Sequence, residues 1–328
     1  MSTAPASSPP PPPPAGSEPP LLRVRHLVKS FAVKPPPATG LAAMNPFRRP
    51  PRERFKAVND VSFDLRAGET LGVVGESGSG KTTTARCVLR AMDPDAGHAW
   101  LRVADGSEVD LAAVSEKQMK PLRREVQMIF QDPFASLNPR MTVGQIVGEG
   151  LRVHGLASGK DRRERVAAVL ERVGLEASHA GRYPHAFSGG QRQRIGIARA
   201  LVMEPRLIVA DEAVSALDVS VQARVLDLLR ELQEERGLTY LFVSHDLSVV
   251  REVCDRVAVM HRGRVVEFGD AERVFDDPRH PYTRVLVSAI PYPDPRRRMK
   301  PLRVEDLSPE ELEPLPGLGV GPGGEHTY

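Results

Sequence analysis

A chain of 328 residues with 41% hydrophobic residues can enclose one large domain or two ordinary ones. Its 45 basic and 42 acidic residues are spread along the length and leave a net charge of +3, which excludes a dedicated nucleic-acid surface. Two distant cysteines, Cys87 and Cys254, exclude a disulfide framework, and no apolar run approaches the roughly 18 residues that span a bilayer.

Residues 1–20 include six consecutive prolines, from Pro9 to Pro14, and read as a polyproline or disordered tail. The folded unit is expected over residues 21–290, interrupted by an exposed, proline- and arginine-rich insertion at 34–54. Residues 70–74 form a short apolar, β-branched run, the pattern of a buried strand. Gly75, Glu76, Ser77, Gly78, Ser79, Gly80, Lys81 and Thr82 follow, and a helix should begin at Lys81. Strand, glycine-rich turn and helix in that order make an anion cradle, because inward N–H groups and the positive helix end face the same point. Lys81 is placed to reach the β- and γ-phosphates of ATP, and the Thr82 hydroxyl to coordinate Mg²⁺.

A magnesium nucleotide also needs a carboxylate at the end of a second buried strand. Residues 207–212, Leu-Ile-Val-Ala-Asp-Glu, supply one. Asp211 would hold the metal through water, and Glu212, one residue further out, would take a proton from the attacking water as general base. Gln131 and His245 each stand after an apolar run and are unremarkable on their own. Residues 188–194, Ser-Gly-Gly-Gln-Arg-Gln-Arg, precede an amphipathic helical pattern. Ser188 can cap that helix, and Gly189 and Gly190 let its N–H groups approach a second phosphate, with Gln191 beside them. Two phosphate-reading helix ends with one Lys81 leave two arrangements: both fold onto one nucleotide, or two chains each contribute half. Residues 291–328 are again rich in proline and glycine, include Arg296, Arg297 and Arg298, and are expected to form a flexible tail, as a loose strap or disorder.

With these ordered motifs the chain resembles the ATP-binding subunits of ATP-binding cassette (ABC) transporters. The resemblance implies an α/β fold: a P-loop NTPase (RecA-like) core, an antiparallel β subdomain and an inserted α-helical subdomain at about 132–188. It implies a head-to-tail dimer in which Ser188, Gly189 and Gly190 meet the γ-phosphate held by the other subunit. Gln131 would contact Mg²⁺ and the attacking water, His245 would grip the γ-phosphate, and residues 215–218, ending at Asp218, would cross the interface beside Glu212. An aromatic residue normally stacks on adenine; Phe31 is the candidate and Phe55 the alternative.

Residues 131–140, Gln-Asp-Pro-Phe-Ala-Ser-Leu-Asn-Pro-Arg, together with Arg182-Tyr183-Pro184-His185 and His280-Pro281-Tyr282-Thr283, are similar to the dipeptide and oligopeptide importers of the peptide and nickel branch. That implies a second ATPase subunit, two transmembrane permease subunits, an external substrate-binding protein acting indirectly, and a place on the cytoplasmic face of the inner membrane. Two positions depart from the pattern. Ala213 stands where a proline usually follows the glutamate, and no cysteine after Cys254 is left to hold an iron–sulfur cluster. The other reading is a non-transport cassette ATPase of DNA repair or translation. The first usually inserts a coiled coil between the two motifs, where residues 83–187 show no sustained heptads, and the second usually carries two cassettes.

Overall fold

The computed structural model describes residues 19–33, 54–132, 135–215, 217–290 and 302–315. The expected proline tail up to residue 18, the insertion over 34–53, the arginines at 296–298, and Pro133, Phe134 and Ala216 lie outside them. Strands β1 (Leu22–Ala32) and β2 (Arg54–Leu65) pair antiparallel, so the insertion leaves and returns at one hairpin end, with Arg54 already inside β2. Strand β3 (Thr70–Val74) enters a second sheet and turns into α1 (Lys81–Val88), while β4 (Ala96–Arg102) and β5 (Glu108–Asp110) complete the first. Helix α2 (Glu116–Glu125) leads to β6 (Val126–Ile129), and α3 (Val143–Val153) and α4 (Gly159–Arg172) form the inserted helical subdomain. Then come α5 (Gly189–Leu201), β7 (Leu207–Asp211), α6 (Val219–Arg236), β8 (Thr239–Val243), α7 (Leu247–Val253) and β9 (Arg256–His261). Strand β10 (Arg264–Asp270) and helices α8 (Ala271–Asp276) and α9 (Pro281–Ser288) follow.

The larger sheet runs β10-β9-β3-β8-β7-β6, parallel except at its β10 edge, and the smaller runs β2-β1-β4-β5 with antiparallel pairing. Both faces of the larger sheet are covered, which is why its strands read as unbroken apolar runs. Side chains alternate between two cores. Ile208, Ala210, Tyr240, Phe242, Val257 and Val259 pack with the helical subdomain, whereas Leu207, Val209, Leu241, Val243, Ala258 and Met260 pack with the smaller sheet and α1. The strands expected at 70–74 and 207–212 and the helices expected at 81 and after 188 are present, the second strand ending at Asp211. This is the α/β P-loop architecture with its β and helical subdomains.

Within the tail expected as a loose strap or disorder, residues 302–315 include two short 3-10 turns that pack back on the body. Leu315 N donates to Val266 O at 3.3 Å, Arg264 pairs with Glu313 at 2.6 Å, and Val304, Leu307 and Leu312 lean on the larger core. The prolines and glycines there permit an irregular path, and scattered apolar side chains give it something to hold.

A buried ion pair sits where the two sheets meet. Arg256 of β9 and Glu69, just before β3, are 5% and 7% exposed and bond through both carboxylate oxygens, and Arg256 Nη2 also donates to Asp64 O of β2 at 2.8 Å. Removing one partner of such a pair strands the other charge in the interior. Glu69→Ala should therefore cost about 3–5 kcal/mol of stability, measured by urea unfolding, and pairing it with Arg256→Met should recover much of the loss.

Candidate nucleotide site

The phosphate loop is shaped by its neighbours as much as by its glycines. Gly75 has φ 144°, and a Cβ there would lie 2.2 Å from the Met260 carbonyl oxygen on β9. Gly80, the residue before α1, has φ 107° and would put a Cβ 2.1 Å from the Ala57 carbonyl oxygen on β2. Only glycine fits either place. Gly263, in the β9–β10 turn, donates its N–H to Ser79 O at 2.8 Å, so both sheets hold the loop.

Lys81 is 5% exposed and curls back onto the loop, donating to Gly75 O at 2.7 Å and Glu76 O at 2.8 Å. Burial lowers its pKa, against the pull of Glu212, Asp211 and Glu76. Thr82, the next residue, donates its hydroxyl to Asp211 Oδ1 at 2.8 Å. Asp211 ends β7 at 1% exposure, and burial raises its carboxyl pKa despite the Thr82 bond and Arg86, whose guanidinium is 3.9 Å away. A desolvated carboxylate beside a hydroxyl is a hard-oxygen donor pair of the type magnesium takes, so the residues fit that ion.

Glu212 lies one residue past the strand, in the left-handed region at φ 49°. Its N–H still bonds Val243 O at 2.8 Å, and its carbonyl closes the following turn by accepting Ser215 N–H at 3.2 Å. Ala213, 2% exposed, sits inside this turn, which closes without proline. The reversal turns the Glu212 side chain toward two residues from neighbouring strand ends. Gln131 Nε2 donates to Glu212 Oε2 at 2.6 Å, and His245 Nδ1 is 3.1 Å from the same oxygen. The structure thus brings Lys81, Thr82, Gln131, Asp211, Glu212 and His245 together at the C-terminal ends of parallel strands, where open α/β sheets bind ligands.

The other expected residues stand apart from this cluster. Ser188 caps α5 with a reciprocal box, accepting from Gln191 N at 3.4 Å and donating its own N–H to Gln191 Oε1 at 3.0 Å. A Cβ on Gly190 would meet Val221 Cγ1 at 2.5 Å, so its bareness serves packing on α6, while Gly189 is open. Among the described residues, this segment makes no hydrogen bond to the phosphate loop. Asp218 caps α6, accepting from Ser220 Oγ at 2.8 Å and Val221 N at 3.0 Å, and those bonds lower its carboxyl pKa. Phe31 and Phe55 are paired in register at the open end of β1 and β2, exposed by 40% and 51%, two residues from the Ala57 that touches Gly80.

Two residues at the site carry no signal of their own in the sequence. Arg199 of α5 stacks on the Phe130 ring, 5.3 Å to its centroid, and donates to Ser136 O at 2.6 Å, tying the helix after Ser188 to the segment after Gln131. Both Phe130 and Arg199 line a 360 Å³ groove between the sheet edge and α3, with Glu149, Val153 and His154. Tyr282 of α9 accepts the Glu76 N–H at 3.1 Å. It falls within a stretch visible in the sequence, residues 280–283, but nothing local says what it touches.

A glycine loop gripping a lysine between strand and helix, backed by a strand-end acid pair, defines a P-loop nucleotide-binding protein. Comparisons narrow the class. A family described as "ABC transporter" matches residues 58–215, and one described as "Oligopeptide/dipeptide transporter, C-terminal region" matches 266–317. The oligopeptide transport ATP-binding protein OppF of Bacillus subtilis is 51% identical over 276 residues, covering 84% of each chain. The glutathione import ATP-binding protein GsiA of Escherichia coli is 50% identical over 313 residues, 93% of this chain and 48% of its own, so this chain spans about half the length of that relative. A dimeric structure of the ATP-binding cassette MJ0796, in a post-hydrolysis state with ADP and Pi, matches with TM-score 0.63 at 27% identity, covering 76% of this chain and 98% of its own. CbiO1 from Clostridium perfringens matches with TM-score 0.62 at 28% identity over 79% and 92%. The chain belongs to the ABC transporter family of ATP-binding proteins, with the C-terminal region of its oligopeptide and dipeptide members.

The burial of Asp211 has a measurable cost. Its folded-state pKa is raised, so ionisation destabilises the fold as pH climbs past the unfolded value of about 3.9. Asp211→Asn keeps the acceptor for Thr82 and removes the charge. Its melting temperature without nucleotide should match the parent near pH 4 and exceed it at pH 7; equal midpoints at both would contradict the burial argument.

Proposed function

We propose that this chain is the ATP-hydrolysing subunit that energises a membrane importer of dipeptides or oligopeptides, working on the cytoplasmic face of the membrane as a peripheral subunit. The observation that carries the proposal is the clasp of Gln131 and His245 on Glu212, set beside the Thr82–Asp211 pair behind the phosphate loop. The loop N–H groups and Lys81 would bind the phosphates, Lys81 exchanging two carbonyl partners for charge-assisted bonds. Thr82, Asp211 and Gln131 would hold Mg²⁺, which when bound supplies positive charge for the β- and γ-phosphate oxygens. Glu212 Oε2 is occupied by Gln131 and His245; once these turn to the metal and the γ-phosphate, the carboxylate is free to take a proton from water. Adenine would stack at the exposed Phe31 and Phe55 end of the smaller sheet, with Phe31 as the contact.

The site is completed in trans. Ser188, Gly189, Gly190 and Gln191 form a capped helix start that does not bond the chain's own loop, so they would close over the γ-phosphate held by a second ATPase subunit. Asp218, which starts α6 beside the turn from Glu212, would lie at that interface. ATP binds only the closed form fully. Moving such a pair from 1:99 to 99:1 takes about 5.5 kcal/mol of differential binding, within reach of two sets of charged contacts. The groove lined by Phe130, Val153 and Arg199 would receive a segment of the two permease subunits and pass the motion to Gln131 through Arg199 and Ser136.

Peptides as cargo, brought by an external binding protein, follow from the C-terminal region and from the names of the relatives. No described helix is long and apolar enough to cross a membrane, which fits a path supplied by other subunits. A cassette ATPase of DNA repair fits less well, since α4, the longest described helix between the two phosphate-reading segments, has 14 residues.

Glu212→Gln should lower steady-state ATP hydrolysis at least a hundredfold while ATP still drives a stable dimer in sedimentation; near-normal turnover would contradict the base assignment. Lys81→Ala should abolish nucleotide binding in an equilibrium titration, and intact binding would contradict the loop assignment.

A further inference from the structure

Tyr282 lies 206 residues from the phosphate loop in sequence, and its hydroxyl accepts the backbone N–H of Glu76 at 3.1 Å. The other end of that peptide unit is the Gly75 carbonyl, which accepts from Lys81 Nζ at 2.7 Å. One peptide plane is therefore pinned from both sides, by a phenol at its N–H and an ammonium at its oxygen. Gly75, at φ 144°, is the residue through which this plane could turn most easily.

The phenol is itself fixed. Tyr282 is 0% exposed, and its ring lies against His261, 4.3 Å between centroids. His280 caps α9, accepting Tyr282 N–H at Nδ1 over 3.1 Å, while its Nε2 lies 2.8 Å from the Glu313 carbonyl of the terminal segment. Glu267 of β10 accepts the N–H groups of Arg279 and His280 at 2.9 and 3.1 Å. A phenylalanine would fill the same space, so the hydroxyl adds the Glu76 bond and little else. Burial raises its pKa to about 12, which keeps it a neutral phenol at every working pH.

We propose that Tyr282 is a positioning residue for ATP: it holds the Gly75–Glu76 peptide in the orientation that shapes the loop before nucleotide arrives. Through it, α9 and, by way of His280, the segment around Glu313 act on the nucleotide site. A loop whose first peptide can turn must be ordered at binding, so the loss appears in affinity for ATP rather than in the rate of the bound complex.

The inference rests on the proposed ATPase reading, and the test separates the two. Tyr282→Phe in the full chain should raise both the Kd and the KM for ATP about three- to tenfold, the loss of one net hydrogen bond. kcat should change less than twofold, and amide exchange at Glu76 should quicken. Val285→Ala, which thins the same helix and leaves the hydroxyl alone, should lower the melting temperature without moving KM. A parent chain that neither binds nor hydrolyses ATP overturns both readings. A parent that does, with a Tyr282→Phe variant of unchanged Kd and KM, overturns this inference alone, and so does an equal rise in KM from Val285→Ala.

Discussion

The contact on which the site depends is that of the Lys81 ammonium with the carbonyl oxygens of Gly75 and Glu76, at 2.7 and 2.8 Å. A buried cation needs partners, and here neutral oxygens fill the role that phosphate fills better. To offer those oxygens the loop must fold back on itself, which requires glycine at Gly75 and Gly80 against Met260 and Ala57. Arg256, paired with Glu69, ties β9 to β2 through the Asp64 carbonyl, and these same two strands press on the loop. The nearest acids, Asp211 and Glu212, are each engaged elsewhere, with Thr82 and with Gln131 and His245. Without nucleotide the site is thus a set of satisfied but second-best contacts, each of which ATP or its metal would improve.

Much of this was legible in the sequence because it is local. The strand before Gly75, the helix from Lys81, and the buried strand ending at Asp211 follow from apolar runs bounded by glycine or acid. The capping box at Ser188 and Gln191 has a four-residue signature. The contacts between distant elements were not legible. Nothing near Tyr282 announces Glu76, nothing near Arg199 announces Ser136, and no pattern tells that Phe31 and Phe55 face each other across β1 and β2. The contacts of the terminal segment were hidden for a related reason. Proline and glycine speak against regular structure, yet residues 302–315 pack through individual side chains and one charge pair rather than through a helix or strand.

Asp211 and Glu212 are adjacent in sequence and opposite in circumstance. The first ends a strand inside the protein, where burial favours its proton; the second turns out through a left-handed residue into a polar clasp. Backbone geometry that costs energy commonly collects at sites of chemistry, and here it turns two adjacent carboxylates to different partners, Thr82 for one and Gln131 with His245 for the other. The clasp links this chemistry to the outside. Gln131 begins the segment that Arg199 holds, and Arg199 lines the groove beside α3.

The phosphate loop and the capped start of α5 are both helix N-termini behind glycines, and one chain does not bring them together by any described hydrogen bond. The central claim is that a working site takes its loop from one subunit and Ser188 to Gly190 from another. Mixing a Lys81→Ala chain with a Ser188→Arg chain tests it directly, because only a mixed head-to-tail pair contains one intact site. The account predicts that each variant alone is inactive and that an equal mixture regains ATP hydrolysis, to about a quarter of the parent rate, since half of randomly formed pairs are mixed and each has one of two sites whole. A Ser188→Arg chain that hydrolyses ATP alone at the parent rate would contradict it.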